Sequence, residues 1–192
     1  MNKKENINID KSFPLVGAFL ATAFGALILT KSSGLSLIVT FLPAIPIAFL
    51  GFWLISWRRG HNYQCVLPVY LFAVAWQLLH FAEEYITGFN AQFPDIVDGS
   101  PAYPIETFVL FNMVAYFFFI LGAVFGLIGR HKIFMLPVWF FAVYGVCGNA
   151  IAHVIFAVIN NGYFPGLITA LGYFIIGPIL IKRLVEAPKL NN

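Results

Sequence analysis

Six apolar runs dominate this chain, at residues 13–30, 35–57, 66–87, 106–129, 133–159 and 165–181. Each is close to the ~20 residues a helix needs to cross about 30 Å of hydrocarbon. Only 10% of the residues are charged and 60% are hydrophobic, where soluble domains carry about 25% charged residues. The expected fold class is therefore all-α: a polytopic membrane helix bundle with six transmembrane helices. The 22 Phe residues suit a lipid-facing surface. The reading makes residues 13–184 a single membrane domain, flanked by polar tails at 1–12 and 185–192.

The connections sharpen this picture. Positive charges precede the first run, as in a signal peptide. Its core is long, however, acidic residues also precede it, and Lys31-Ser32-Ser33 is a poor cleavage context, so it reads as a retained span. Pro43 and Pro46 lie inside the second run and should kink it. Pro165 is placed to open the last helix. Residues 88–105 form the longest connection, rich in Gly, Pro, Asn and Asp, and read as a functional loop. Asp95 and Asp98 read as solvated loop residues, and His61 and His131 as interfacial residues of basic turns.

Lys and Arg set the orientation. With six spans, Lys3, Lys4, Lys11, Arg58, Arg59, Arg130, Lys132, Lys182, Arg183 and Lys189 share one side, and Lys31 stands on the other. The positive-inside rule then makes both termini cytoplasmic, in the cell membrane. Because the basic residues sit in short clusters between apolar runs, no nucleic-acid partner is expected; membrane lipids are. The two cysteines, Cys65 and Cys147, are far apart and give no disulfide framework. Oligomeric state is left open.

One stretch breaks the apolar pattern: His80-Phe81-Ala82-Glu83-Glu84, inside the third run. An ionisable side chain at membrane depth costs roughly 2.5–3.5 kcal/mol on insertion scales and reads as functional by default. Residues at i, i+3 and i+4 share a helix face, so Gln77, His80, Glu83 and Glu84 point one way, and Asn149 and His153 do so on the fifth run. At ~1.5 Å per residue, His80 falls about 6 Å outward of the span's middle and His153 about 10 Å outward of its own. Asn112 and Thr169 fall in the same outer layer, while the cytoplasmic halves of these spans hold almost no polar residues.

His and carboxylates on one helix face, with a His from a second helix, suit a divalent metal such as Zn or Fe. The order His-x-x-Glu-Glu has the spacing of a His-x-x-Glu-His zinc motif with the last His replaced. On that analogy His80, Glu84 and His153 are metal ligands and Glu83 a general base, with Asn149 beside it as a catalytic residue. Asn112 and Thr169 are candidate substrate-binding residues, though both also suit interhelical hydrogen bonding. A metal-free site is equally chemical, since a Glu in an apolar site can stay protonated and act as an acid.

The run from Leu78 to Tyr85 resembles the signature of the HXXEE-motif membrane proteins. Asn149-Ala150-Ile151-Ala152-His153, with Tyr163-Phe164-Pro165-Gly166-Leu167 and Thr169, is similar to a second block of that family. The resemblance implies that His80, Glu83, Glu84 and His153 matter; it supplies no substrate or reaction.

The function expected is an intramembrane enzyme, a metal-assisted or acid/base hydrolase or isomerase, acting on a lipid-like or small apolar substrate. A proton- or cation-coupled small-molecule transporter, or a non-catalytic binding or structural subunit, are the alternatives.

Overall fold

A computed structural model describes residues 12–32, 34–58 and 63–187. Most of the two polar tails, together with Arg59 and His61 of the first basic turn, lies outside the described residues. The described residues form seven helices and no strand: α1 Ser12–Lys31, α2 Ser36–Trp57, α3 Gln64–Thr87, α4 Phe89–Asp98, α5 Ile105–Ile128, α6 Lys132–Ile159 and α7 Leu167–Glu186. Five of them, α2, α3, α5, α6 and α7, are long and apolar enough to cross a membrane; the apolar stretch of α1, Leu15–Lys31, is shorter.

Local chemistry explains the boundaries. α3 opens with a tighter turn at Gln64–Val66, and Pro68 sits in the first α-helical turn, which begins at Leu67, where a missing N–H costs nothing. Gly88, at φ +82°, ends that helix in a left-handed cap, donating its N–H to the Glu84 carbonyl. The second run is interrupted at Leu42-Pro43, between helical segments Ser36–Phe41 and Ala44–Gly51. Three stretches shift to π-helical hydrogen bonding: Phe52–Trp57, Gly122–Ile128 and Phe141–Gly148. The last lies immediately before the turn carrying Asn149 and His153.

The inward stripe of α3 is Tyr70, Ala73, Val74, Gln77, His80 and Glu84, a three-to-four residue repeat that begins apolar and ends polar. Tyr70, Phe119, Phe141 and Val146 are buried in the core at its apolar end, and the Tyr70 hydroxyl donates to the Phe119 carbonyl at 3.0 Å. The outer surface is the reverse of a soluble protein's: Leu78, Leu79, Phe117, Phe118, Leu171 and Ile175 all face outward. Contiguous apolar surface on this scale belongs in hydrocarbon.

Two expectations are corrected. Residues 88–105 are not a bare loop, because α4 lies inside them. Phe89 and Phe93, one turn apart, stack at 4.8 Å and give the segment an apolar face to bury. Pro94 cannot donate to the Asn90 carbonyl, and the Tyr103 N–H takes that acceptor at 2.9 Å. The Asn90 amide returns a bond to the Tyr103 carbonyl at 2.9 Å, and the Tyr103 hydroxyl meets Ser36 Oγ at 2.6 Å. Asp98 is exposed, as a solvated residue should be, and its carboxylate also accepts the Leu35 N–H at 2.7 Å, so α4 is buckled to the start of α2. Second, Pro165 does not open α7. Gly166 follows it at φ +86°, a left-handed conformation that no helix can run through, so α7 starts at Leu167.

Candidate metal centre

Three helices bring the site together. α3 supplies His80, Glu83 and Glu84, α6 supplies His153, and the first turn of α7 supplies Thr169. His80 Nε2 lies 3.4 Å from Glu84 Oε1, and His153 Nε2 lies 3.3 Å from the same oxygen. The two imidazoles meet edge to face, with centroids 4.7 Å apart. One ligand atom from each of His80, Glu84 and His153 falls within 4.8 Å of the others. The three residues are 0%, 6% and 1% exposed, so water contributes little to their solvation.

The hydrogen bonds around the group are uneven. His80 Nδ1 pairs with Thr169 Oγ1 at 2.8 Å, whereas His80 Nε2 and His153 Nδ1 are buried without a hydrogen-bond partner. An unsatisfied buried polar atom costs about 1–3 kcal/mol. Here the His80 nitrogen faces a carboxylate oxygen 3.4 Å away, an ion pair when the imidazole is protonated and a gap for a cation when it is not. Two of the three donor pairs match a cation, since two donors about 2.0–2.1 Å from a tetrahedral zinc stand about 3.3–3.4 Å apart, and all three atoms lie within 4.8 Å of one another. The residues present thus fit a divalent metal.

Glu83 has a different environment. Its carboxylate accepts the Tyr163 hydroxyl at 2.7 Å, the Ile168 N–H at 3.0 Å and the Thr169 N–H at 2.8 Å, together with the Thr169 hydroxyl. Ile168 and Thr169 lie in the first turn of α7, whose N–H groups have no partner within the helix. Glu83 therefore caps α7 from the neighbouring helix, where the helix dipole favours a negative charge. Burial and the Glu83 hydrogen bond both raise the pKa of the Tyr163 hydroxyl, keeping it a donor. Trp76 secures the same turn by donating its indole N–H to the Thr169 carbonyl at 2.9 Å.

Aromatic rings close the group off on one side. Phe89 of α4 lies 5.4 Å from the His153 ring and 5.8 Å from Phe164. Phe93, Phe156 and Phe164, all buried, complete the cover. On the other side, Gln77 takes a hydroxyl hydrogen bond from Tyr116 on its carbonyl at 2.6 Å and one from Tyr173 on its side chain. The Tyr173 ring packs against His80 at 5.3 Å.

Of the residues singled out in the sequence, His80, Glu83, Glu84, His153 and Thr169 are brought together. Asn112 is not, because its amide donates to the Phe108 carbonyl of its own helix at 3.0 Å. Asn149 is half-buried one turn before His153, and it takes no part in the hydrogen bonds of the group. Sequence reasoning missed Trp76 and the Phe89 cover, and named Gly166 and Tyr163 only within the second family block, with no role in the group. Gly166 had a visible sign, a glycine directly before an apolar helical run, whose left-handed use the sequence does not state.

Fold and site together define a polytopic helical membrane protein with a buried His–Glu–His group able to hold a metal ion. The chain belongs to the family described as "Protein of unknown function with HXXEE motif", whose model matches residues 70–181, more than half its length. His80, Glu83 and Glu84 are the H and the paired E of that motif. Searches of curated proteins and of solved structures gave no match.

Proposed function

We propose that the chain is a metal-dependent enzyme of the cell membrane, a hydrolase or isomerase of lipid-like or small apolar substrates. His80, Glu84 and His153 would hold the metal, Zn or Fe. The observation that carries this reading is His80 Nε2, buried, without a hydrogen-bond partner, and 3.4 Å from a carboxylate oxygen. Two imidazoles and one carboxylate are the ligand set of hydrolytic zinc sites and of non-haem iron sites, which keep positions open for substrate. When bound, such an ion supplies Lewis acidity or a water of lowered pKa.

The chain's own residues have defined tasks. Glu84 would balance the charge of the ion. Glu83, whose carboxylate already accepts four hydrogen bonds, holds α7 in place and is not free to serve as the base. The Phe89, Phe93, Phe156 and Phe164 cover excludes water and favours an apolar substrate. The core beyond Gln77, with Tyr70, Ala73, Phe141 and Val146 fully buried, supports an enzyme over a carrier, which needs a polar path to both faces. The bias of Lys and Arg supports six spans with both termini in the cytoplasm and the site in the outer half.

Metal analysis of the purified full chain tests the proposal. About one zinc or iron per chain is expected, lost in Glu84→Ala and His153→Ala variants that remain folded. Folded wild-type protein without metal, and unable to take up zinc or iron on addition, would sink it.

A further inference from the structure

We infer that Thr169, held by Glu83, is a positioning residue that fixes His80 in the tautomer with its proton on Nδ1, leaving Nε2 bare toward Glu84 and His153. This rests on the metal-centre reading for its purpose, and on hydrogen-bond accounting for its substance.

The accounting starts at Glu83. Oε2 accepts the Thr169 N–H at 2.8 Å and Oε1 accepts the Ile168 N–H at 3.0 Å, so both oxygens serve as acceptors. Thr169 Oγ1 also lies against Oε2, and its other oxygen neighbour is the Gly166 carbonyl at 3.3 Å. Both neighbours accept, so the one hydroxyl proton of Thr169 is committed to them. At His80, 2.8 Å away, Thr169 Oγ1 can then only accept. The proton between them must come from His80 Nδ1. A neutral imidazole carries one ring proton, so Nε2 is left with its lone pair.

That lone pair points into the buried group. His80 Nε2 has no hydrogen-bond partner and lies 3.4 Å from Glu84 Oε1. With the opposite tautomer, Nε2–H would block the position that a metal needs. The line Glu83, Thr169, His80 thus prepares the ligand before any ion arrives, as outer partners of metal-bound histidines do elsewhere. Valine at 169 would keep the shape of threonine and remove the acceptor; serine would keep the acceptor.

The experiment is nitrogen-15 NMR of histidine-labelled, metal-free full chain in lipid nanodiscs, paired with zinc titration. The His80 signal is assigned by its loss in His80→Gln. In the wild type, His80 is expected as the Nδ1–H tautomer. Thr169→Val is expected to lose that signature and to bind zinc about 10–100-fold more weakly, while Thr169→Ser retains both. An Nε2–H tautomer in the wild type overturns the inference, whatever the variants do. So does a folded Thr169→Val with the wild-type tautomer and affinity. A wild type that shows the Nδ1–H tautomer but takes up neither zinc nor iron supports the positioning role and removes the metal centre, so the two failures are told apart.

Discussion

Gly166 packs directly on His153. A Cβ at position 166 would stand 2.9 Å from His153 Nδ1 and 3.0 Å from Glu84 Cγ, and closer still to His153 Cε1. The residue also has φ +86°, a conformation costing an L-residue about 1–2 kcal/mol. Gly166→Ala should therefore strain the turn and push the imidazole away from Glu84. The expected outcome is a stability loss of roughly 1–3 kcal/mol together with reduced zinc or iron content. Wild-type values of both would show that the turn has room this geometry denies.

Removing the cap on α7 should be felt even without the chemistry. Glu83→Ala leaves the N–H groups of Ile168 and Thr169 without their acceptor, at a cost of about 1–3 kcal/mol. Glu83→Gln retains an amide oxygen and should lose less. Thermal unfolding in detergent measures both, and a silent Glu83→Ala would remove the capping role.

The cover can be loosened at one ring. Phe89→Ala deletes the contacts with His153, Phe93 and Phe164. Half-burying a Phe ring is worth on the order of 1–1.5 kcal/mol, so the opened state should become about tenfold more populated. The rate at which a chelator strips the metal should rise by a similar factor. An unchanged stripping rate would place the route to the ion elsewhere.

A pH effect is expected at the buckle between α4 and α2. Hydrogen bonds from the Ser100 side chain and the Leu35 N–H hold the Asp98 carboxyl below its usual range. A carboxyl lowered on folding adds stability above the ordinary value of about 3.9, and that stability is lost as pH falls through the lowered value. Protection of the α4 amides against hydrogen exchange should thus drop below about pH 4 in the wild type. Asp98→Asn should be poorly protected at pH 6 as well. Equal protection of wild type at pH 6 and pH 3 would refute the tie.

The convergence of His80, Glu84 and His153 was legible because two physical rules act on sequence alone. Helical spacing puts His80 and Glu84 on one face, and polar groups at one depth must find each other. Depth says nothing of rotation about the helix axis, however. That is why Thr169 meets His80 while Asn112, in the same layer, turns to its own backbone. The work of Glu83 was hidden because its partners, Tyr163, Ile168 and Thr169, are 80 to 86 residues away. Residues 88–105 read as a loop because Gly, Pro and Asn outweighed the Phe89–Phe93 spacing that makes α4. The π-helical stretch Phe141–Gly148 shifts a hydrogen-bond register and has no signature in composition.

The buckle at Asp98 divides the protein's labour unevenly along its length. Glu83, Thr169 and the three residues suited to grip an ion all fall within residues 70–181, the stretch shared with the family. The anchor of the shutter, at Leu35 and Ser36, falls outside it. The rings that cover the group, Phe89, Phe93, Phe156 and Phe164, belong to the shared stretch, and only the tie that holds α4 reaches beyond it.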